Sequence, residues 1–346
     1  MKIRRYPLQT AYDMHVHLRR GEMLAKVAPV TARLFRAAIV MPNTDPPILN
    51  IHDAAQYKRE ILAVCKDFPD FDPLMTIKLT PKTEIKDIAA AKITGIMAGK
   101  FYPEGVTTNS QNGFQKLSDA KHLLEAMQDY DLPLSVHAEM PGIDPMLAEQ
   151  MFLEEIIGAA MSFPKLRIIV EHLSTLSAVD LVKELPGTVA GTITAHHLVL
   201  TSEDALNDPH AYCKPMAKTN IDRQALIAAA VSGNPKFFFG SDSAPHPRQK
   251  KTCDKPAAGC FTAPLALNIL AQVFAEAHAI QRLDDFLGKF GPEFYGLKPE
   301  AKCLELTPHP GRYSDTNADP LPFFAYKIIS WQVERCSPQS PSGCRC

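Results

Sequence analysis

Eight short runs of β-branched and apolar residues punctuate this chain, and longer segments of helical period separate them. The runs fall near 12–18, 36–41, 73–80, 95–101, 132–137, 166–172, 188–195 and 236–242, and include Leu132-Pro-Leu-Ser-Val-His137 and Lys236-Phe-Phe-Phe-Gly-Ser-Asp242. Helical candidates lie at 52–66, 84–93, 117–130, 145–161, 175–185 and 220–232. Two of them, beginning at Asp53 and Ser118, show helix caps followed by apolar stripes. Repeated strand and helix units of this kind are βαβ units. Eight of them predict an α/β fold, a closed (β/α)₈ TIM barrel, rather than an open sheet. A chain of 346 residues is long enough to fill such a core. The expected domain spans 1–334, with no internal repeat or linker.

Past the eighth strand the sequence predicts a loop over 243–253 and a helical run from about 262 to 278. An irregular Pro, Asn, Asp and Ser stretch follows over 298–320, then an extended segment over 321–333. Residues 335–346 read as a disordered tail. The Arg248, Lys250 and Lys251 cluster reads as a solvated loop face.

Charge narrows the partners. With 37 basic and 38 acidic residues the net charge is −1, so no overall field draws in nucleic acid or an anionic membrane, and a small-molecule substrate fits better. No apolar run approaches the ~18 residues of a membrane span, and the N-terminal residues lack the apolar core of a signal peptide. The expectation is a soluble cytoplasmic protein. Eight dispersed cysteines suggest no disulfide framework and fit a reducing compartment. Cys253 and Cys260 flank a loop without a CxxC partner pair and read as free thiols.

A closed barrel places its chemistry at the C-terminal ends of its strands. His15, His17, Asn43, Lys100, His137, His172 and Asp242 all fall at such ends. Side chains two apart on a strand share a face, so His15 and His17 converge. Four imidazoles and the Asp242 carboxylate exceed the needs of one tetrahedral Zn²⁺ and point to two metals with a bridge between them. Lys100 leaves two readings open: a salt bridge to a carboxylate, or a neutral amine that adds CO₂ and becomes an anionic, bridging carbamate. Two metals that share a water supply hydroxide near neutral pH. Asp242 is placed to take its proton and return it to a leaving nitrogen. The chemistry is metal-assisted hydrolysis of an amide-type bond, or its reverse. Arg19, Asn43 and His246 add donors with no acid beside them, which suits an anionic substrate. Arg19 alone would equally suit a surface salt bridge.

Taken together, His15-Val-His17-Leu-Arg19, Met41-Pro-Asn43-Thr44, Gly99-Lys100-Phe-Tyr-Pro with Thr107-Thr108-Asn109-Ser110, Val136-His137-Ala-Glu139, Glu171-His172-Leu-Ser and Gly240-Ser-Asp242-Ser-Ala-Pro-His246 resemble the dihydroorotase family, of the shorter bacterial and fungal type within the amidohydrolases. The motifs keep the family's order and spacing from about residue 10 to 334. The resemblance implies reversible cyclisation of N-carbamoyl-L-aspartate to L-dihydroorotate in pyrimidine synthesis, by a homodimer. It implies one zinc on His15, His17, Lys100 and Asp242, and a second on Lys100, His137 and His172, with Lys100 carbamylated to N6-carboxylysine. It further implies that Arg19, Asn43 and His246 hold the substrate carboxylate. Backbone groups at Lys214 and Ala258 would contact the ring amide, while Thr107 and Thr108 ride on a loop that closes over the substrate.

The chain departs from the pattern at Lys214, where relatives often carry an aliphatic residue, and at Ala138, which replaces a common Gly. The tail from Cys336 has no counterpart. His196 and His197 carry no ligand role in the family and read as structural, and His52, His122, His210, His278 and His309 read as solvated. Two rivals share the barrel. Cyclic amidases of the hydantoinase, dihydropyrimidinase or allantoinase kind usually carry a β-rich segment before the His-x-His, and Arg19 and His246 argue for a carboxylated substrate instead. A non-catalytic scaffold relative would have lost metal ligands, and this chain lacks none.

Overall fold

The computed structural model describes residues 5–313, 315 and 317–335. Eight parallel strands form the expected barrel: β2 (Tyr12–Val16), β3 (Ala37–Val40), β4 (Asp72–Lys78), β5 (Ala98–Phe101), β6 (Leu134–Val136), β7 (Ile168–Val170), β8 (Val189–Ile193) and β9 (Phe237–Phe239), each paired with the next in chain order. The first and last strands do not share a full ladder. They are joined above their ends, where the Asp242 N–H donates to the His15 carbonyl at 2.8 Å and the His17 N–H to the Ser243 carbonyl at 3.0 Å.

Strand alternation sorts the core into two layers. On β9, Phe238 points inward to meet Met14, Ile39, Ala98, Ile169 and Ala190, while Phe237 and Phe239 point outward into the layer beneath the helices. The helix Phe290–Tyr295 stops the N-terminal mouth with Phe290 and Tyr295. Gly291 is required there, because a Cβ would sit 2.6 Å from Met14 Cγ. With one mouth plugged, only the C-terminal mouth is left to hold a site.

The expected helices appear, the one at 117–130 as a 3₁₀ turn, Leu117–Ala120, running into Lys121–Asp129. Several expectations need correction. A helix at Gly21–Leu34 stands where the sequence suggested none. Pro29 inside it reads as a breaker, but Leu24, Val27, Ala28, Thr31 and Ala32 bury a continuous stripe that outweighs one missing hydrogen bond. The stretch 298–320 is not wholly irregular: β10 (Leu304–Gly311) pairs antiparallel with β1 (Tyr6–Leu8) and with β11 (Ile329–Arg335). Leu304 and Leu306 face the core on alternate positions, a strand signal masked by the prolines that follow. The extended reading of 321–333 holds only from Ile329 onward.

Lys251 is not part of a solvated face. It is 3 % exposed, and its Nζ donates to the carbonyls of Tyr212, Ala257 and Gly259 at 2.8–2.9 Å. Cys65, Cys213, Cys253 and Cys260 are free thiols, whereas Cys303 is disulfide-bonded, so the reading of dispersed free thiols does not extend to it. Arg335 ends β11, and the rest of the expected tail lies outside the described residues. No described helix is long and apolar enough to cross a membrane.

Phe238 is a fully buried aromatic side chain of the inner layer. Phe238→Ala should cost about 3–5 kcal/mol of stability, the range for deleting a buried aromatic group, as measured by urea unfolding. A loss below about 1 kcal/mol would mean that the barrel interior is not close-packed.

Candidate active site

Four histidines gather at the open mouth as two pairs. His15 lies on β2, and His17 follows just past its end, with their Nε2 atoms 3.3 Å apart. Each ring's other nitrogen is committed elsewhere: His15 Nδ1 lies 2.8 Å from Glu171 Oε2, and His17 Nδ1 lies 2.8 Å from Asn43 Oδ1. The Asn43 amide is oriented by its Nδ2, which donates to the Thr108 carbonyl at 2.9 Å and leaves Oδ1 for His17. Both Nδ1 protons therefore point outward, and two Nε2 lone pairs face each other. Such an arrangement is repulsive until a cation occupies the space between. Asp242 Oδ1 completes the group, 3.0 Å from His17 Nε2 and 3.5 Å from His15 Nε2. Burial drives the His17 pKa down to about 4 against the pull of Asp242, so the ring is neutral at neutral pH. Burial opposes the charge on Asp242, but its close contacts with the His17 and His15 rings outweigh it and hold the carboxyl well below its usual range.

The second pair is His137, at the end of β6, and His172, beyond β7, with His137 Nδ1 3.1 Å from His172 Nε2. His137 Nε2 lies 2.7 Å from Glu139 Oε2, which turns Nδ1 into the site. Burial lowers both pKa values, and neighbouring positive charge lowers that of His172 further. The rings of His15 and His172 lie 5.2 Å apart between centroids, so the pairs form one group.

Lys100 on β5 is fully buried, and its Nζ has no hydrogen-bond partner among the described residues. The salt bridge that competed for this residue is not formed. Its Nζ lies over the Tyr102 ring, 4.7 Å from the centroid. Burial pushes the Lys100 pKa down to about 8, with Glu171 and Asp242 pulling it upward. An orphaned amine of that basicity is partly neutral near neutral pH and can add CO₂. Its carbamate would supply the anionic oxygens that this donor set lacks between its two pairs, so these residues fit two zinc ions and a carbamate bridge.

The acids behind the imidazoles were not singled out from the sequence. Glu171 is held by Ser135 Oγ at 2.5 Å and Thr192 Oγ1 at 2.7 Å as it faces His15. Asp13 Oδ1 accepts from the N–H groups of His15 and Ser241 at 3.2 and 2.8 Å, and burial raises its pKa to about 6. The available signal was an acid next to, or two positions from, a histidine within an otherwise apolar strand, as in Asp13-Met-His15, His137-Ala-Glu139 and Glu171-His172.

The substrate-side residues border a cavity of about 20 Å³, with His17, Arg19 and Asp242 on one side and Thr107, Thr108 and Lys214 on the other. Arg19 is not on the strand face, because β2 stops at Val16 and Arg19 turns at φ 59°. It still reaches the mouth, donating through Nε to the Pro245 carbonyl at 3.0 Å with Nη2 3.1 Å from His246 Nε2. His246 Nε2 is also 2.9 Å from the Ala258 carbonyl, and burial together with Arg19 drops its pKa to about 3. Asn43 differs from expectation. Its amide already joins His17 to Thr108, with Oδ1 accepting from the ring and one Nδ2 hydrogen donated to the loop, so only the second Nδ2 hydrogen is left for a substrate in this closed arrangement. His196, His197 and Cys213 cluster tightly, but His197 Nε2 and Cys213 Sγ both lie within donating range of the Pro215 carbonyl, at 3.0 and 3.2 Å. His197 Nδ1 and His196 Nδ1 meet Thr194 and Thr262, which fits their structural reading.

Residues 12–276 match the family described as Amidohydrolase. The dihydroorotase of Coxiella burnetii is 42 % identical, over 93 % of this chain and 96 % of its own. Among solved structures, the dihydroorotase of Saccharomyces cerevisiae superposes with a TM-score of 0.90 at 35 % identity, covering 96 % of this chain and 98 % of that one. The Campylobacter jejuni dihydroorotase gives 0.88 at 38 %, with 97 % and 99 % covered. Barrel, site geometry and similarity over nearly the whole length agree, and the chain belongs to the dihydroorotase family of amidohydrolases.

Proposed function

We propose that this chain catalyses the reversible cyclisation of N-carbamoyl-L-aspartate to L-dihydroorotate, in pyrimidine biosynthesis, with two zinc ions and a carbamate on Lys100. One observation carries the reading: two imidazole pairs, a carboxylate and an unpartnered buried amine meet at one barrel mouth. His15, His17 and Asp242 would hold one ion and His137 with His172 the other, Lys100 serving both. When bound, such a metal pair lowers the pKa of a shared water and polarises an amide carbonyl.

The chain's own groups do the remainder. Asp242, ionised and touching His17 through Oδ1, accepts the proton of the attacking water and returns it to the ring nitrogen as the amide bond breaks. In the synthetic direction the proton travels the other way. Glu171 and Glu139 fix the tautomers of His15 and His137, so each presents a lone pair rather than a proton. Arg19 and neutral His246 take the substrate carboxylate, with backbone groups at Lys214 and Ala258 on the ring amide. Lys251 holds the 257–259 backbone in place for this, through its bonds to Ala257 and Gly259. Asn43 joins the carboxylate contacts through its second Nδ2 hydrogen, and Thr107 and Thr108 close over the bound ring. The yeast relative was solved in complex with 5-fluoroorotic acid, a carboxylated pyrimidine, which supports an acidic ring as the ligand here. A homodimeric state belongs to the same reading and rests on the resemblance.

A combined assay tests the reading: the purified protein should consume carbamoyl-aspartate and carry about two zinc ions per chain, and a metal-free, inactive protein would refute it. Lys100→Ala should lose both zinc and activity, with partial rescue by small carboxylic acids; full activity without additive would remove Lys100 from the site. Asp242→Asn should lower kcat by about 10²–10⁴-fold, the scale of a lost acid–base catalyst, with a far smaller change in KM. An unaltered kcat would assign the proton to another group. Glu171→Gln should weaken zinc binding about 10–100-fold in competition with a chelator, and unchanged affinity would show that His15 needs no partner behind it.

A further inference from the structure

The cavity beneath residues 105–112 measures about 20 Å³. That is room for about one water molecule, far short of the hundreds of Å³ in ordinary ligand pockets. The loop is closed, and any ring substrate must displace it. What holds it down is therefore part of how the site works.

Three side chains from outside the loop grip its backbone. Lys78, at the C-terminal end of β4 and 3 % exposed, donates from Nζ to the carbonyls of Asn109 and Gln111, both at 2.8 Å. Lys214 donates to the Val106 carbonyl at 2.5 Å, from the opposite side of the mouth. Between them the Asn43 amide donates to the Thr108 carbonyl, and Asn109 Nδ2 donates back to the Asn43 carbonyl at 2.9 Å. Neither lysine forms an ion pair among the described residues, so the loop carbonyls are what their ammonium groups bind. Within the loop, Ser110 Oγ donates to the Thr107 carbonyl at 2.6 Å and accepts from the Thr107 N–H at 3.1 Å, a turn that holds its own shape. The two ends differ. Gly105 sits at φ 74° with nothing within 4 Å of a would-be Cβ, while Gly113 is pressed against the Tyr102 carbonyl, 2.3 Å from a would-be Cβ. A rigid turn with one open end and cationic grips on either side has the build of a latch.

We propose that Lys78 and Lys214 are positioning residues that set the opening equilibrium of this loop. The turn swings as one body from Gly105 when both ammonium groups let go, which makes room for the ring, and Thr107 and Thr108 then settle over it. Only the identity of the ring rests on the dihydroorotase reading; the latch itself does not. Because Asn43 binds Thr108 through one end of its amide and His17 through the other, loop position is also transmitted to a metal-facing imidazole.

Amide hydrogen exchange on the free protein reads the latch without substrate. Lys78→Met should speed exchange across 105–112 by about tenfold or more, the scale of one lost hydrogen bond to a charged donor, while the barrel strands stay as protected as before. Lys78→Arg should restore most of the protection, since a guanidinium can reach both carbonyls. Lys214→Leu should act on the same amides from the other side, and the double variant should multiply the two factors if the turn moves as one body. Unchanged exchange in both single variants would overturn the proposal, as would effects confined to each lysine's own end. L-dihydroorotate should slow exchange of 105–112 in the unaltered protein. If it does not, while the variants still loosen the loop, the latch stands and the substrate reading falls.

Discussion

The centre of this molecule is an amine with nowhere to place its charge. Lys100 stands on a barrel strand, wholly buried, with no acceptor for its Nζ, and burial alone drags its pKa to about 8. An unpaired polar group in such a place is costly, typically about 1–3 kcal/mol, so a folded protein keeps one only where something else satisfies it. The surrounding nitrogens face the complementary difficulty: two Nε2 atoms 3.3 Å apart with their protons directed away. One set of groups lacks an anion and the other lacks cations. A carbamate and two metals answer both at once, which is why these residues make better physical sense as a group than singly.

Holding the imidazoles in that orientation is the task of the groups behind them. Glu171 reaches His15 only because Ser135 on β6 and Thr192 on β8 fix its carboxylate from either side. Three neighbouring strands thus converge on one tautomer. Glu139 does the same for His137, and Asn43 does it for His17 without adding charge. The difference matters. Asn43 also binds the loop, so a neutral amide there couples loop position to the site without altering its charge.

The barrel was legible in the sequence because each strand is a short β-branched run and each helix a striped segment, both local patterns. Seven of the eight strands lie within the expected windows and β4 starts one residue before its own, at Asp72, while Arg19 shows how the ends escape: strand pairing stops at Val16, and only long-range contacts with Ser243 and Pro245 decide that. The metal-facing residues were legible through motif spacing and strand-end position. Glu171, Lys78 and Lys251 were not, for one common reason. Each is a charged residue whose partners no local pattern announces, on remote segments for Glu171 and Lys78 and in the folded loop beyond it and at Tyr212 for Lys251, and a lone Lys or Glu reads as solvated until those partners are placed. The helix Gly21–Leu34 was obscured by Pro29, and β10 by its prolines, local signals that burial overrode.

Closure of the barrel and assembly of the site share the same bonds. Asp242 and His15, far apart in the chain, meet where the Asp242 N–H donates to the His15 carbonyl, and Asp13 beside them takes the N–H of Ser241. Asp242 and His172 adopt φ values of 42° and 43°, strained for residues with a Cβ, at about 1–3 kcal/mol each. That strain turns both side chains over the mouth instead of along the strand. It is sustained because the seam between β2 and β9 has few other bonds to form: without a full ladder there, the turn at Asp242 is what joins the last strand to the first. A substitution that relaxed this turn would loosen the ring at its weakest joint, so the geometry of the proton-carrying carboxylate is fixed by the same requirement that closes the fold.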